Sequence, residues 1–301
     1  MEEFAICMEG LKKTYHKNVA LKGVDLKIHS NELIGLIGAN GSGKTTFFKI
    51  CSGLESATDG KITMFGMDPV NDIRMKEEVI YSMHNLPVGG QHRLCDILKF
   101  YDMTYPHFDR VFAEKLLSIF GISLKKRCYA LSQGMKSLLH FTCALATRCK
   151  VTLLDEPFIG IDIEKRKMAY EVLLRDYMEH PRTILVSSHN LSELEGVLSE
   201  MILIHEGELV FYEDMDSVRE MLFRVDGTEE EICGFVEGKE TVRVFKKELG
   251  SYAVLKGSVS GVWAKEAKEA GLVVSLVTPE DVSVYLTQEE KGKEMESLWE
   301  N

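Results

Sequence analysis

The sequence predicts an α/β fold. A largely parallel sheet, an antiparallel β element and a helical portion occupy residues 1–225, and a small α+β domain occupies 226–301. Three observations carry this reading. Short apolar runs of buried-strand type, at 33–37, 151–154 and 183–187, alternate with stretches of helical periodicity. The first of these runs opens directly into a glycine-rich loop. Charge is also divided unevenly: residues 1–212 hold 27 acidic and 25 basic side chains, whereas residues 213–301 hold 20 and 11 and so carry most of the net charge of -11.

Taken in order, residues 4–11 and 24–28 read as a β-hairpin, with polar turns at 16–18 and 29–31. Residues 33–37 form a buried strand, 38–43 the glycine loop and 45–50 the start of a helix. Residues 79–83 are a further strand. Apolar positions spaced by three and four over 93–120 give helices broken at Tyr105-Pro106-His107. A helix starting at Ser132 and running to 147 precedes the strand at 151–154; a helix at 164–179, a strand at 183–187 and a helix at 191–198 follow. Strands at 201–204 and 208–211 flank a Glu206-Gly207 turn. In the tail, 232–235, 241–245, 253–256 and 273–277 read as strands, and 263–270 and 280–287 as helices.

A chain of 301 residues with 45% hydrophobic and 28% charged residues buries a sizeable core, which excludes a disordered protein. No stretch approaches the roughly 18 to 20 apolar residues of a membrane-spanning helix, and Met1-Glu2-Glu3 lacks the basic flank and apolar run of a signal peptide. The expectation is a cytoplasmic protein. Seven scattered cysteines without a C-x-x-C read as buried thiols, not as a disulfide framework or zinc site. Neither half has the basic excess that displaces counterions from a duplex, so no nucleic-acid partner is expected.

Gly38-Ala39-Asn40-Gly41-Ser42-Gly43-Lys44-Thr45 fits the phosphate-loop pattern G-x-x-x-x-G-K-[ST]. Glycines let backbone N–H groups close around phosphates at a helix N-terminus, where Lys44 adds a point charge and the Thr45 hydroxyl is suited to Mg²⁺. The candidate phosphate ligands are therefore Gly38, Asn40, Gly41, Ser42, Gly43, Lys44, Thr45 and the adjoining Thr46. The strand at 151–154 ends in Asp155-Glu156, where one carboxylate can hold Mg²⁺ through water and the next can accept a proton from the attacking water. We assign Asp155 the metal role and Glu156 the general base; an acidic pair after a strand also serves as a helix cap.

With these motifs the sequence resembles, over residues 4 to about 225, the P-loop nucleotide-binding subunit of ABC transporters. Leu131-Ser132-Gln133-Gly134-Met135-Lys136, ahead of the Asp-Glu strand, looks like the family signature L-S-G-G-Q, matched at Ser132 and Gly134 and departing at Gln133, Met135 and Lys136. The L-S-x-G-M-K form resembles a bacterial exporter subgroup. The resemblance implies that Ser132 and Gly134 contact the γ-phosphate held by a second subunit; Ser132 is equally a helix cap. His189, after the strand at 183–187, matches the family's γ-phosphate histidine, with a surface histidine as the alternative. Asp162 matches its dimer-contact loop, although Phe158 and Ile159 replace the usual small polar residues. Tyr15 matches the aromatic residue that stacks on adenine, unless it only packs in the β element. His84 stands where the family's coupling loop has Gln or Glu, or is an ordinary loop histidine. Residues 100–109 resemble a stretch of a Gram-positive drug or peptide-antibiotic exporter branch, in the helical part expected to receive the permease, and read equally as an aromatic core junction.

The resemblance implies an ATPase with ATP and Mg²⁺ as cofactors, working as a homodimer or a heterodimer with another ABC subunit. It further implies a separate transmembrane permease, working in export, that keeps the chain at the inner face of the cell membrane. The alternatives are a soluble regulatory ATPase of the same fold and a nucleotide-binding partner subunit with weak hydrolysis. The tail resembles the accessory domain of several exporter ATPases and holds no catalytic constellation.

Overall fold

The computed structural model describes residues 4–83, 91–188, 194–245 and 250–287. Backbone contacts divide the chain into two compact units, Met1–Tyr212 and Glu213–Asn301.

In the first unit, β1 (Phe4–Tyr15) and β2 (Asn18–His29) form an antiparallel hairpin longer than the apolar pattern alone marks, turning at His16 with φ 52°. The fully buried β3 (Leu33–Ile37) leads through the glycine loop into α1 (Lys44–Cys51). A strand the sequence reading did not place, β4 (Asp59–Met64), pairs with β1 and completes a three-stranded sheet of order β2-β1-β4. The short α2 (Met75–Glu78) precedes β5 (Val79–Met83), and α3 (Leu94–Thr104), α4 (Arg110–Ile119), a 3₁₀ turn at Cys128–Ala130 and α5 (Gln133–Ala146) make the helical portion. After it come β6 (Val151–Asp155), α6 (Ile163–Glu179), β7 (Thr183–Ser188), β8 (Glu200–His205) and β9 (Glu208–Asp214). Of the helix expected at 191–198, residues 194–197 form turns and 191–193 lie outside the described residues.

The main sheet has order β5-β6-β7-β3-β8-β9, with β5 through β8 parallel. Parallel strands covered on both faces bury every residue, which is why β3, β6 and β7 are continuous buried runs. Phe47 and Phe48 of α1 are fully buried against the sheet, each side chain contributing roughly 1.5–3 kcal/mol. Parallel strands all end on the same side of their sheet, so the carboxyl ends of β3, β6 and β7 share one edge.

The second unit comprises α7 (Met215–Arg219), β10 (Leu222–Gly227), α8 (Glu229–Val236), β11 (Thr241–Phe245), β12 (Ser251–Lys256), α9 (Val262–Glu269), β13 (Val273–Leu276) and α10 (Pro279–Thr287). Its antiparallel sheet of order β11-β12-β10-β13 carries α8 and α9, through Ile232, Ala264 and Ala267, on a core with Phe223, Val225, Ala253 and Leu255. This β-α-β-β-α-β succession is the split βαβ arrangement. Two expectations are corrected. Residues 232–235 lie in α8, because the reciprocal Thr228–Glu231 capping box starts a helix there and overrides the strand-like composition. The division expected at 225/226 would cut β10, an interior strand of this sheet; the compact units divide at 212/213 instead.

Candidate functional site

The phosphate loop is shaped by its glycines. Gly41 (φ 84°) and Gly43 (φ 114°) adopt backbone that side chains avoid, and a Cβ on Gly43 would lie 2.7 Å from the Ala20 carbonyl oxygen. Gly43 caps α1, whose first N–H groups face the loop with the positive end of the helix dipole. The Lys44 ammonium reaches back to the carbonyl oxygens of Gly38 (2.5 Å) and Ala39 (3.1 Å). Burial lowers its pKa, while the nearby Glu156 and Asp155 charges oppose that shift. Among the described residues, the buried Ser42 Oγ of this loop has no hydrogen-bond partner.

Asp155, 5% exposed at the end of β6, is the centre of the site. Its Oδ2 accepts from Thr45 Oγ1 (2.9 Å) and Tyr81 OH (2.9 Å), and its Oδ1 from Ser187 Oγ (2.7 Å). The next residue, Glu156, has φ 49°, and its N–H donates to Ser187 Oγ at 2.9 Å. Asp155 with Thr45 offers the two hard oxygen ligands with which Mg²⁺ is commonly shared between protein and substrate phosphates. The donor set therefore fits that ion.

Lys44, Thr45, Thr46, Asp155 and Glu156 line a cleft of about 530 Å³. Tyr15, Ala20, Lys22 and Glu206 line it as well. The Lys13 ammonium lies 4.9 Å from the Tyr15 ring centroid and is itself held by Glu55 at 2.8 Å, which fixes the platform. Lys22 N donates to Gly207 O and Gly207 N to Ser42 O, tying β2, the β8–β9 turn and the phosphate loop together. The sequence reading named Tyr15 and the loop but missed Tyr81, Ser187, Ala20, Lys22 and Glu206. Nothing local marks those residues: Tyr81 and Ser187 meet the site through strand pairing, and Ala20, Lys22 and Glu206 through the contact of β2 with the β8–β9 turn.

Ser132, Gly134 and Asp162 stand apart from the residues lining this cleft. Ser132 caps α5, accepting from Met135 N at 3.3 Å, and Asp162 caps α6, accepting from Lys165 N at 3.0 Å. A Cβ on Gly134 would fall 2.2 Å from the Gly160 carbonyl oxygen, so this glycine is needed for close packing of α5 on the segment after Glu156. The departure at Phe158 also has a structural cause. Its ring is buried between Phe141 (5.5 Å) and Tyr170 (4.5 Å), joining α5 to α6. In the aromatic stretch, Tyr101 stacks with Tyr105 and Phe108, whereas Phe100 and Met103 are exposed. Both His84 and His189 lie outside the described residues.

A family model described as ABC transporter matches residues 21–159. The chain is 30% identical over 218 residues to the ABC transporter ATP-binding protein YtrB of Bacillus subtilis, covering 71% of this chain and 74% of that protein. This chain belongs to the ABC transporter ATP-binding family. It is also 29% identical over 215 residues to the bacitracin transport ATP-binding protein BcrA of Enterococcus faecalis, covering 69% of this chain and 68% of that one. The solved structure of an ATP binding subunit of an ABC transporter superposes with a TM-score of 0.65 at 22% identity, over 71% of this chain and 92% of that chain. The fold is thus that of the ABC ATPase, and the chain is an ATP-binding ATPase subunit.

Proposed function

We propose that this chain hydrolyses ATP to drive a separate transmembrane permease, and that it does so as a dimer in which each phosphate loop faces the signature helix of the other subunit. The observation that carries this reading is the split between its two sets of family residues. Lys44, Thr45, Asp155 and Glu156 line one cleft, whereas Ser132, Gly134 and Asp162 cap or pack helices and are not among its lining residues. A cleft holding the phosphate and metal groups of the family but not its signature is completed by a second copy or a paralogue.

In this reading the loop N–H groups and the Lys44 ammonium bind the β- and γ-phosphates, releasing the loop carbonyls that Lys44 now contacts. Ser42 Oγ gains a phosphate acceptor, and the Tyr15 ring stacks on the base. Thr45 and Asp155 would hold Mg²⁺, which supplies charge neutralisation at the phosphate oxygens. Glu156 takes the proton from the attacking water, and His189, following β7, orients the γ-phosphate. Among the described residues no helix is long and apolar enough to cross a membrane. A permease on another chain would therefore hold this subunit at the inner face of the membrane. Similarity to a bacitracin transport ATP-binding protein supports a role in transport, and the L-S-x-G-M-K signature form carries the reading of export.

Sedimentation tests the dimer. With ATP, Glu156→Gln is expected to form dimers, and Glu156→Gln with Ser132→Arg to remain monomeric while still binding nucleotide. Equal dimer content in both overturns the shared site.

A further inference from the structure

Among the described residues three hydroxyls bond Asp155, and one of them, that of Thr45, belongs to the phosphate-loop motif. Tyr81 comes from β5 and Ser187 from β7, the two strands that flank β6, and the register aligns Met83 and Ser187 with Asp155. Tyr81 is 8% exposed and Ser187 fully buried. Ser187 has a double role: its O–H donates to Asp155 Oδ1, and its oxygen accepts the N–H of Glu156, whose φ of 49° is left-handed and unusual for a residue with a side chain.

A carboxylate on a single side-chain bond rotates unless its oxygens are held. Here Ser187 holds one oxygen and Tyr81 with Thr45 the other, which leaves a single orientation. We propose that Ser187 and Tyr81 are positioning residues that lock the Asp155 carboxylate, and through Ser187 the Glu156 backbone, into one unit preorganised for Mg²⁺ and the attacking water. This rests on the reading of Asp155 as metal carboxylate and Glu156 as base. The two hydroxyls also tie that unit to strands leading into His84 and His189, three and two residues further along the chain.

The test titrates the full chain with trinitrophenyl-ATP, once in EDTA and once in Mg²⁺, and takes the gain in affinity that Mg²⁺ confers. Ser187→Ala and Tyr81→Phe are expected to keep the wild-type affinity in EDTA and to lose about tenfold or more of the Mg²⁺ gain. Ser187→Thr restores it. A residue that served only packing would lower the thermal midpoint and leave the gain intact. Tyr81→Phe retains the ring that packs on Phe48 and decides the matter if Ser187→Ala does not fold. Asp155→Asn separates the two layers. If it abolishes the gain while both Ser187→Ala and Tyr81→Phe keep it, the positioning inference is overturned and the metal assignment survives. If Asp155→Asn itself keeps the gain, the metal assignment is overturned.

Discussion

In the first unit, parallel strands bring together polar groups that are remote in sequence: Tyr81 meets Asp155 across 74 positions, and Thr45 meets it across 110. In the second unit the sheet is antiparallel and several polar contacts are local. Arg224 bonds Asp226 two residues on, Thr228 bonds Glu231 three on, and Ser258 bonds Ser260. The difference follows from topology. Parallel strands joined by crossovers end on one side, so residues placed at those ends accumulate at a single edge. Antiparallel strands alternate their ends and disperse such residues. Among the described residues, the second unit assembles no buried lysine, carboxylate and hydroxyl cluster like that around Asp155.

The sharpest way to break this comparison is at the parallel edge. Glu156→Gln should lower ATP turnover by roughly 10² to 10⁴, equivalent to about 3 to 5 kcal/mol of barrier, while nucleotide binding persists. A steady-state phosphate-release assay checks this, and turnover at the wild-type rate would remove Glu156 from the base role.

Next in size is Phe158→Ala. Removing a ring held by Phe141 and Tyr170 should cost about 3 to 5 kcal/mol in the first unit, read by denaturant unfolding. The same change to a ring that merely decorated the surface would cost almost nothing. A loss under about 1 kcal/mol would show that the departure from the family's small polar residue is not a core substitution.

In the second unit, Thr228→Ala removes one half of the capping box that starts α8. A cost of about 1 kcal/mol is expected in unfolding of that unit, with trinitrophenyl-ATP affinity unchanged. A drop in nucleotide affinity instead would mean that the locally satisfied unit contributes to nucleotide binding.

What was legible in the sequence follows the same division between local and remote. The phosphate loop, the Asp155-Glu156 strand end and the Ser132 cap are written in consecutive residues, and the structure places the first two in one cleft. Tyr81 and Ser187 were not legible, because their roles depend on which strands flank β6, and that order is set by crossovers and not by neighbours in the chain. Residues 232–235 misled in the opposite sense: Ile232 and Phe235 suit a strand, but the deciding signal was Thr228 and Glu231 just ahead of them. The missed β4 and β10 are recognised through their partner strands, β1 for the former and β12 with β13 for the latter.

The smallest effect is expected from removing the second unit altogether. A cut after Arg224 would sever β10 and leave part of an interior strand attached, so any loss it caused would be ambiguous. A cut after Tyr212 follows the division of the compact units and keeps the Tyr212 hydroxyl on Glu200. Every residue lining the nucleotide cleft lies before that point, the last being Glu206. The second unit also holds most of the chain's net negative charge, which repels a polyphosphate and does not attract it. Affinity for trinitrophenyl-ATP should therefore change by less than tenfold, about 1.4 kcal/mol. A larger loss, in a truncated protein whose circular dichroism shows it folded, would mean that the acidic unit helps to form the site and that the contrast between the two sheets is not a division of labour.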